Sequence, residues 1–108
     1  MLPTPDPLLH APARLHVAVL LEAAGERDLT FPALQQLTGM TAGNLSTHLR
    51  RLEEADYVAV MKGYDDRTPV THVRLTRIGR DRLTDYRRAV ATVLGGEAAT
   101  AMVAEVAS

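Results

Sequence analysis

Apolar residues in this chain change their spacing four times, and each change marks an element. Between Pro12 and Ala24, Leu15, Val17, Ala18, Val19, Leu20 and Leu21 wrap nearly the whole circumference of a helix that Gly25 stops. A helix apolar all round needs cover on every side, more than one small domain readily supplies, so its spare face is expected to meet a second subunit. Ahead of it, residues 1–9 carry three prolines and read as an extended arm. Glu26-Arg27-Asp28 is a polar turn, and a short helix over residues 32–37 follows, with Phe31, Leu34 and Leu37 on one side and Gly39 at its end. Thr41 is a competent N-cap for a third helix over residues 42–55, in which Leu45, Leu49 and Leu52 recur at i, i+4 and i+7 as one buried stripe.

After Tyr57 the period shortens. Residues 58–62 and 70–75 are β-branched and read as strands, joined by a turn-rich loop from Gly63 to Pro69, which predicts a hairpin with a flexible tip. Thr76 then caps a long helix reaching residue 94, where Leu83, Tyr86, Val90 and Val93 are spaced 3, 4 and 3 like a short coiled-coil seam. With Leu15 and Val19 of the first helix, that stripe is the expected dimer interface. Gly95-Gly96 breaks the helix, and the Ala-rich residues 97–108 form either another helix or a frayed tail. Helix, helix, helix, hairpin, long helix is the plan of a winged helix-turn-helix: mainly α (α+β), with a two-stranded wing and terminal dimerisation helices. The chain divides into an arm at 1–9, a winged helix domain at 10–94 and a tail at 95–108.

The second and third helices are separated only by Thr38-Gly39-Met40-Thr41, a tight connection that sets one across the other and lets the third project. At 100° per residue, the side of the third helix opposite its leucine stripe carries Gly43, Thr47, Arg50 and Arg51, flanked by Asn44 and Ser46. Small residues permit close approach to a DNA major groove, hydroxyl and amide groups can bond base edges, and arginine reaches guanine or phosphate. The helix start at Thr41 also presents backbone N–H groups to a phosphate. Arg67 at the hairpin tip suits a narrow minor groove, with Asp65 or Asp66 beside it to orient the guanidinium, and Lys62 at the strand end is placed for the DNA backbone.

Charge at first argues against such a partner, because the 108 residues carry a formal net charge of −1. The distribution removes the objection: residues 41–88 hold ten basic and seven acidic residues, a balance of +3, and the flanks are acidic. Phosphate binding depends on the local face, not on the total. The absence of cysteine excludes a disulfide framework, a thiolate metal site and a cysteine nucleophile. No apolar run approaches the length of a membrane span, and the first residues lack the pattern of a secretory signal, so the chain is expected to be cytoplasmic.

The run Leu37-Thr38-Gly39-Met40-Thr41-Ala42-Gly43-Asn44-Leu45-Ser46-Thr47-His48-Leu49-Arg50-Arg51-Leu52-Glu53 resembles the recognition segment of MarR/ArsR-type winged-helix transcriptional regulators, above all those reading LT-x-GNLS-x-HL-x-x-LE. Arg67-Thr68-Pro69 and Leu75-Thr76-Arg77-Ile78-Gly79-Arg80 resemble the wing and its exit in the same family, and the likeness spans about residues 8–94. It implies a homodimeric, cytoplasmic regulator that binds double-stranded DNA and pairs through its terminal helices. It also implies that Gly43, Asn44, Ser46, Thr47 and Arg50 lie on the DNA-reading face and Arg67 on the wing. Without cysteine, the thiolate metal sensors among such regulators are excluded; no cofactor or metal is expected, and the residues leave open whether a small-molecule effector binds.

Blander readings stand beside these. Arg50 and Arg51 on an isolated helix would be a solvated face paired with Glu54. His48 lies near the leucine stripe and reads as a packing histidine. His10 and His16 are six residues apart, a spacing that does not make a metal pair, and Ser46 and His48 point in different directions, which argues against a nucleophile and its base. The rival to a DNA-binding regulator is a winged-helix module that binds protein instead; an enzyme has no supporting motif.

Overall fold

The computed structural model describes residues 3–107, so Met1 and Leu2 of the predicted arm and Ser108 of the tail lie outside the described residues. Helix α1 is Pro12–Ala24, opened by proline at its first position and closed by Gly25 at φ 66°. A two-residue strand, β1 (Leu29–Thr30), leads directly into α2 (Phe31–Thr38), whose first turn is capped by the Thr30 hydroxyl accepting from the Ala33 N–H at 3.2 Å. Gly39 ends α2 in the left-handed conformation at φ 72°, where a side chain would be strained. Helix α3 is Ala42–Glu54, and the Thr41 hydroxyl accepts from the Asn44 N–H at 3.2 Å, as an N-cap should.

The wing consists of β2 (Val58–Asp65) and β3 (Thr68–Leu75), paired antiparallel from Val58 opposite Leu75 to Asp65 opposite Thr68. The expected seven-residue loop is therefore corrected: the strands run on past Gly63 and Pro69, and only Asp66 and Arg67 turn the chain. Pro69 is tolerated because the far end of β3 has a neighbour only in β2, and Asp66 takes φ 57°, which aspartate adopts more readily than bulkier residues. β1 pairs with β3 on its other side, Leu29 opposite Val73 and Thr30 opposite His72, giving the order β1-β3-β2. This third strand was not expected from the sequence, since two residues are too few to show a period.

Helix α4 (Arg77–Gly95) begins under the Thr76 hydroxyl, which accepts from the Gly79 N–H at 3.0 Å, and ends at Gly96 in the left-handed conformation. Residues 97–107 settle as a helix, α5 (Glu97–Ala107), with no buried residue. The described residues extend 70 × 25 × 21 Å, because α4 and α5 run out beyond the core.

The core collects Val17, Ala18 and Leu21 of α1, Leu34 of α2, the Leu45, Leu49 and Leu52 stripe of α3, Val58, Val73 and Leu75 of the sheet, and Leu83 and Tyr86 of α4. Leu9 joins them, fully buried. The N-terminal segment is thus not a free arm: Tyr57 donates its hydroxyl to the Asp6 carboxylate, and Arg14 Nε donates to the Leu8 carbonyl at 2.6 Å. Burial and the Asp6 carboxylate push the Tyr57 phenol up to about 12. Glu22 of α1 accepts from both terminal nitrogens of the Arg87 guanidinium of α4, Nη2 at 2.5 Å and Nη1 at 2.8 Å, fixing the two helices side by side.

Candidate nucleic-acid interface

Helix α3 owes its orientation to its two sides. The leucine stripe is buried in the core, so the opposite side must face outward, and Thr41, Gly43, Asn44, Ser46, Thr47, Arg50 and Arg51 are all exposed, as are Lys62 and Arg67 of the wing. Nothing lies within 4 Å of a side chain built at Gly43. The Thr47 hydroxyl donates to the Gly43 carbonyl at 3.0 Å, which leaves its oxygen free to accept. Among the described residues neither Arg50 nor Arg51 forms an ion pair, so the solvated pairing with Glu54 is not present.

The outward face has two flanks. On one, Ser46, Arg50 and Glu53 share with Lys62 and Thr71 of the wing a hollow floored by Phe31, Leu49 and Val60. The structure therefore brings Lys62 from the hairpin into the same recess as Ser46 and Arg50, with Glu53 beside them. On the other flank, His48 Nδ1 lies 3.4 Å from Arg14 Nη1. His48 is half-buried, and its pKa is lowered from the ordinary histidine value by burial first and then by the charges of Arg14 and Arg51. Arg14 was no candidate in the sequence, because a lone basic residue in the first helix carries no local signal; only the packing of α1 against α3 brings it to His48.

Arg67 stands apart from both flanks, at the turn of the wing, with Tyr64 77% exposed nearby. Among the described residues it makes no ion pair with Asp65 or Asp66, so the expected orienting carboxylate is absent.

The expected dimer stripe divides. Leu83 has no exposed surface and Tyr86 only 9%, its hydroxyl 3.0 Å from His10 Nδ1. Both belong to the protomer's own core. The correction has a physical reason: their turns of α4 lie over the α1 and N-terminal residues that the sequence alone left unplaced. Leu15 and Val90 are half-buried, whereas Val19 and Val93 are 38% and 39% exposed. Beyond them Leu94, Met102, Val103 and Val106 form an apolar surface on the last turns of α4 and on α5. Among the described residues no single helix is long and apolar enough to cross a membrane; α4 and α5 reach that measure only as a pair bent by 47°.

A family model described as a winged helix DNA-binding domain matches residues 13–94. A transcriptional regulator homologue protein from Pyrococcus horikoshii is 30% identical in sequence, with 82% of this chain and 86% of that chain covered and a TM-score of 0.75. Wild-type MarR from E. coli in its apo form is similar at 23% identity, 81% and 62% coverage and a TM-score of 0.64. A mutant MepR from a multidrug-resistant S. aureus clinical isolate is similar at 19% identity, 89% and 74% coverage and a TM-score of 0.63. At the identities of the last two the likeness is one of fold. No curated protein matches the sequence significantly.

Proposed function

Because the chain belongs to the winged helix DNA-binding domain family, we propose that it is a sequence-specific transcriptional regulator that grips an imperfect palindrome as a homodimer. That family and this MarR-like fold are those of DNA-binding regulators rather than of enzymes. Each α3 enters a major groove about one helical turn, roughly 34 Å, from its twin, and each wing lies on the flanking backbone. Gly43 permits close approach, Asn44, Ser46 and Thr47 bond base edges, Arg50 reads a base, and Arg51, Lys62 and the helix start at Thr41 meet phosphates. Arg67 reaches the minor groove. The homodimer forms through Val19, Val90 and Val93 with Leu15 at the rim. A dimer seated in this way occludes polymerase, so repression is the proposed outcome, in the cytoplasm where its DNA lies.

The observation that carries this reading is Arg50, exposed and without an ion pair among the described residues, at the mouth of the hollow that also holds Ser46 and Lys62. Selection of bound duplexes from a random pool, followed by mobility-shift titration, tests it. Arg50→Ala should cost about 1–3 kcal/mol on the selected site and relax the preference at one base position. Unchanged affinity would remove Arg50 from base reading, and no selected sequence at all would refute the function. Binding to a protein partner is the second reading, favoured by the net charge of −1 and the exposed Asp65 and Asp66; it requires partner binding that salt leaves unchanged.

A further inference from the structure

Arg14 and Arg51 bring positive charge to either side of a neutral His48 on the α3 flank away from the wing. The three come from two helices. On α3, Asn44, His48 and Arg51 lie along one edge of the outward face, at i, i+4 and i+7. From α1, Arg14 reaches across, its Nε fixed on the Leu8 carbonyl at 2.6 Å and its Nη1 3.4 Å from His48 Nδ1. Among the described residues neither arginine forms an ion pair, and Glu54, one turn beyond Arg51, makes none with it. Two guanidinium groups near one imidazole, neither of them ion-paired among the described residues, form a place suited to an anion.

The hydrogen-bond chemistry fixes what His48 offers there. A guanidinium has donors only, so its contact with Nδ1 requires that nitrogen to be the unprotonated acceptor. The ring proton then sits on Nε2, on the other side of the ring from Arg14. Burial first, and then the charges of Arg14 and Arg51, favour this neutral form.

We propose that His48 and Arg51, with Arg14 behind His48, bind one backbone phosphate of the duplex on the far side of α3 from the wing. Arg51 supplies charge, and His48 donates from Nε2. Arg14 is a positioning residue that sets the tautomer. The inference rests on the duplex-binding reading above and adds two residues to it. Lys62 on the wing side, and Arg51 with His48 on the other, would then hold the sugar-phosphate walls on opposite sides of α3.

The test uses the full chain and a duplex selected from a random pool. His48→Ala should weaken binding about 10-fold, the effect of losing one hydrogen bond to a charged group, and by the same factor on selected and random duplexes. His48→Gln, whose amide nitrogen can stand in for Nε2, should restore most of it. Arg51→Ala should lower the slope of log K against log salt by about one unit. Replacing single phosphates with neutral methylphosphonates locates the contact: at one flanking position the parent chain loses affinity and His48→Ala loses nothing further. Nitrogen-15 spectra of labelled histidine should show the Nε2–H tautomer in the parent, and a mixture of tautomers in Arg14→Gln. If the parent binds duplex but His48→Ala and Arg51→Ala bind as it does, with unchanged salt slopes, this inference falls and the DNA-binding reading stands. An Nδ1–H tautomer in the parent overturns it equally. If the parent binds no duplex, both readings fall.

Discussion

Gly79→Ala tests the seat on which α4 rests, and with it the placement of the wing. By helix propensity the change should help, since glycine in a helix costs up to about 1 kcal/mol relative to alanine. The surroundings reverse the sign. Gly79 is buried, and a Cβ there would stand 2.1 Å from the Tyr57 carbonyl oxygen, 2.9 Å from its carbon and 2.8 Å from Leu75 Cδ1. The leucine methyl can turn aside, but a backbone carbonyl cannot. That carbonyl also accepts the Thr76 N–H at 3.0 Å, so moving it loosens the bond joining the start of β2 to the start of α4. Crowding of a packed core costs about 1–3 kcal/mol and the loosened hydrogen bond about 1. Less the propensity gain, the net loss is about 1–3 kcal/mol. In a domain of this size each kcal/mol lowers Tm by about 4–8 °C, so the variant should melt about 4–24 °C below the parent at equal protein concentration. Calorimetry reads the shift, with Gly43→Ala as control. A Cβ at Gly43 meets nothing within 4 Å, so that variant should hold or raise Tm while losing duplex affinity through its exposed position on α3. A Gly79→Ala chain that melted at or above the parent's Tm would refute the close passage of α4 over Tyr57.

Lys62→Ala and Arg67→Ala should each flatten the slope of log K against log salt by about one unit, because each removes one phosphate-neutralising charge; an unaltered slope would take the wing out of the interface. Val93→Asp, on an exposed position of α4, should give monomers in sedimentation that keep their fold and bind the palindrome poorly, whereas an intact dimer would move the subunit contact elsewhere. Stability should also fall with acid in two windows. His48 has a folded pKa lowered from 6.5, so the unfolded chain takes its proton first. The stability tied to its neutral form is whole above 6.5 and drains as pH falls through the lower folded value. Glu22, lowered from 4.5 chiefly by its hydrogen bonds from Arg87, repeats this below 4.5. Urea melts between pH 8 and 3 read both, and a midpoint indifferent to pH over that range would contradict the two contacts.

Much of the fold was legible because its signals are local. Pro12 and Gly25 bracket α1, Gly39 needs a left-handed backbone, and Thr41 and Thr76 cap the helices they precede. The spacing of Leu45, Leu49 and Leu52 fixed which side of α3 is buried, and so which residues had to be exposed, without reference to the rest of the chain. The candidate DNA face followed from that periodicity alone.

What depended on packing could not be read in the same way. β1 is two residues held by β3, and the wing strands outrun their β-branched stretches because ladder hydrogen bonds carry Gly63 and Pro69 along. Leu9 is a core residue only because α1, α4 and the sheet leave a space for it, which turns an expected arm into a docked segment. Leu83 and Tyr86 share the spacing of an interface stripe, yet both are taken up in the protomer's own core. Arg14 lies 34 residues from His48, and no period links the two. Chain periodicity reports which faces are apolar; it does not report what each face meets. That pairing is settled by long-range contacts, in which one element takes up the surface another needs to bury.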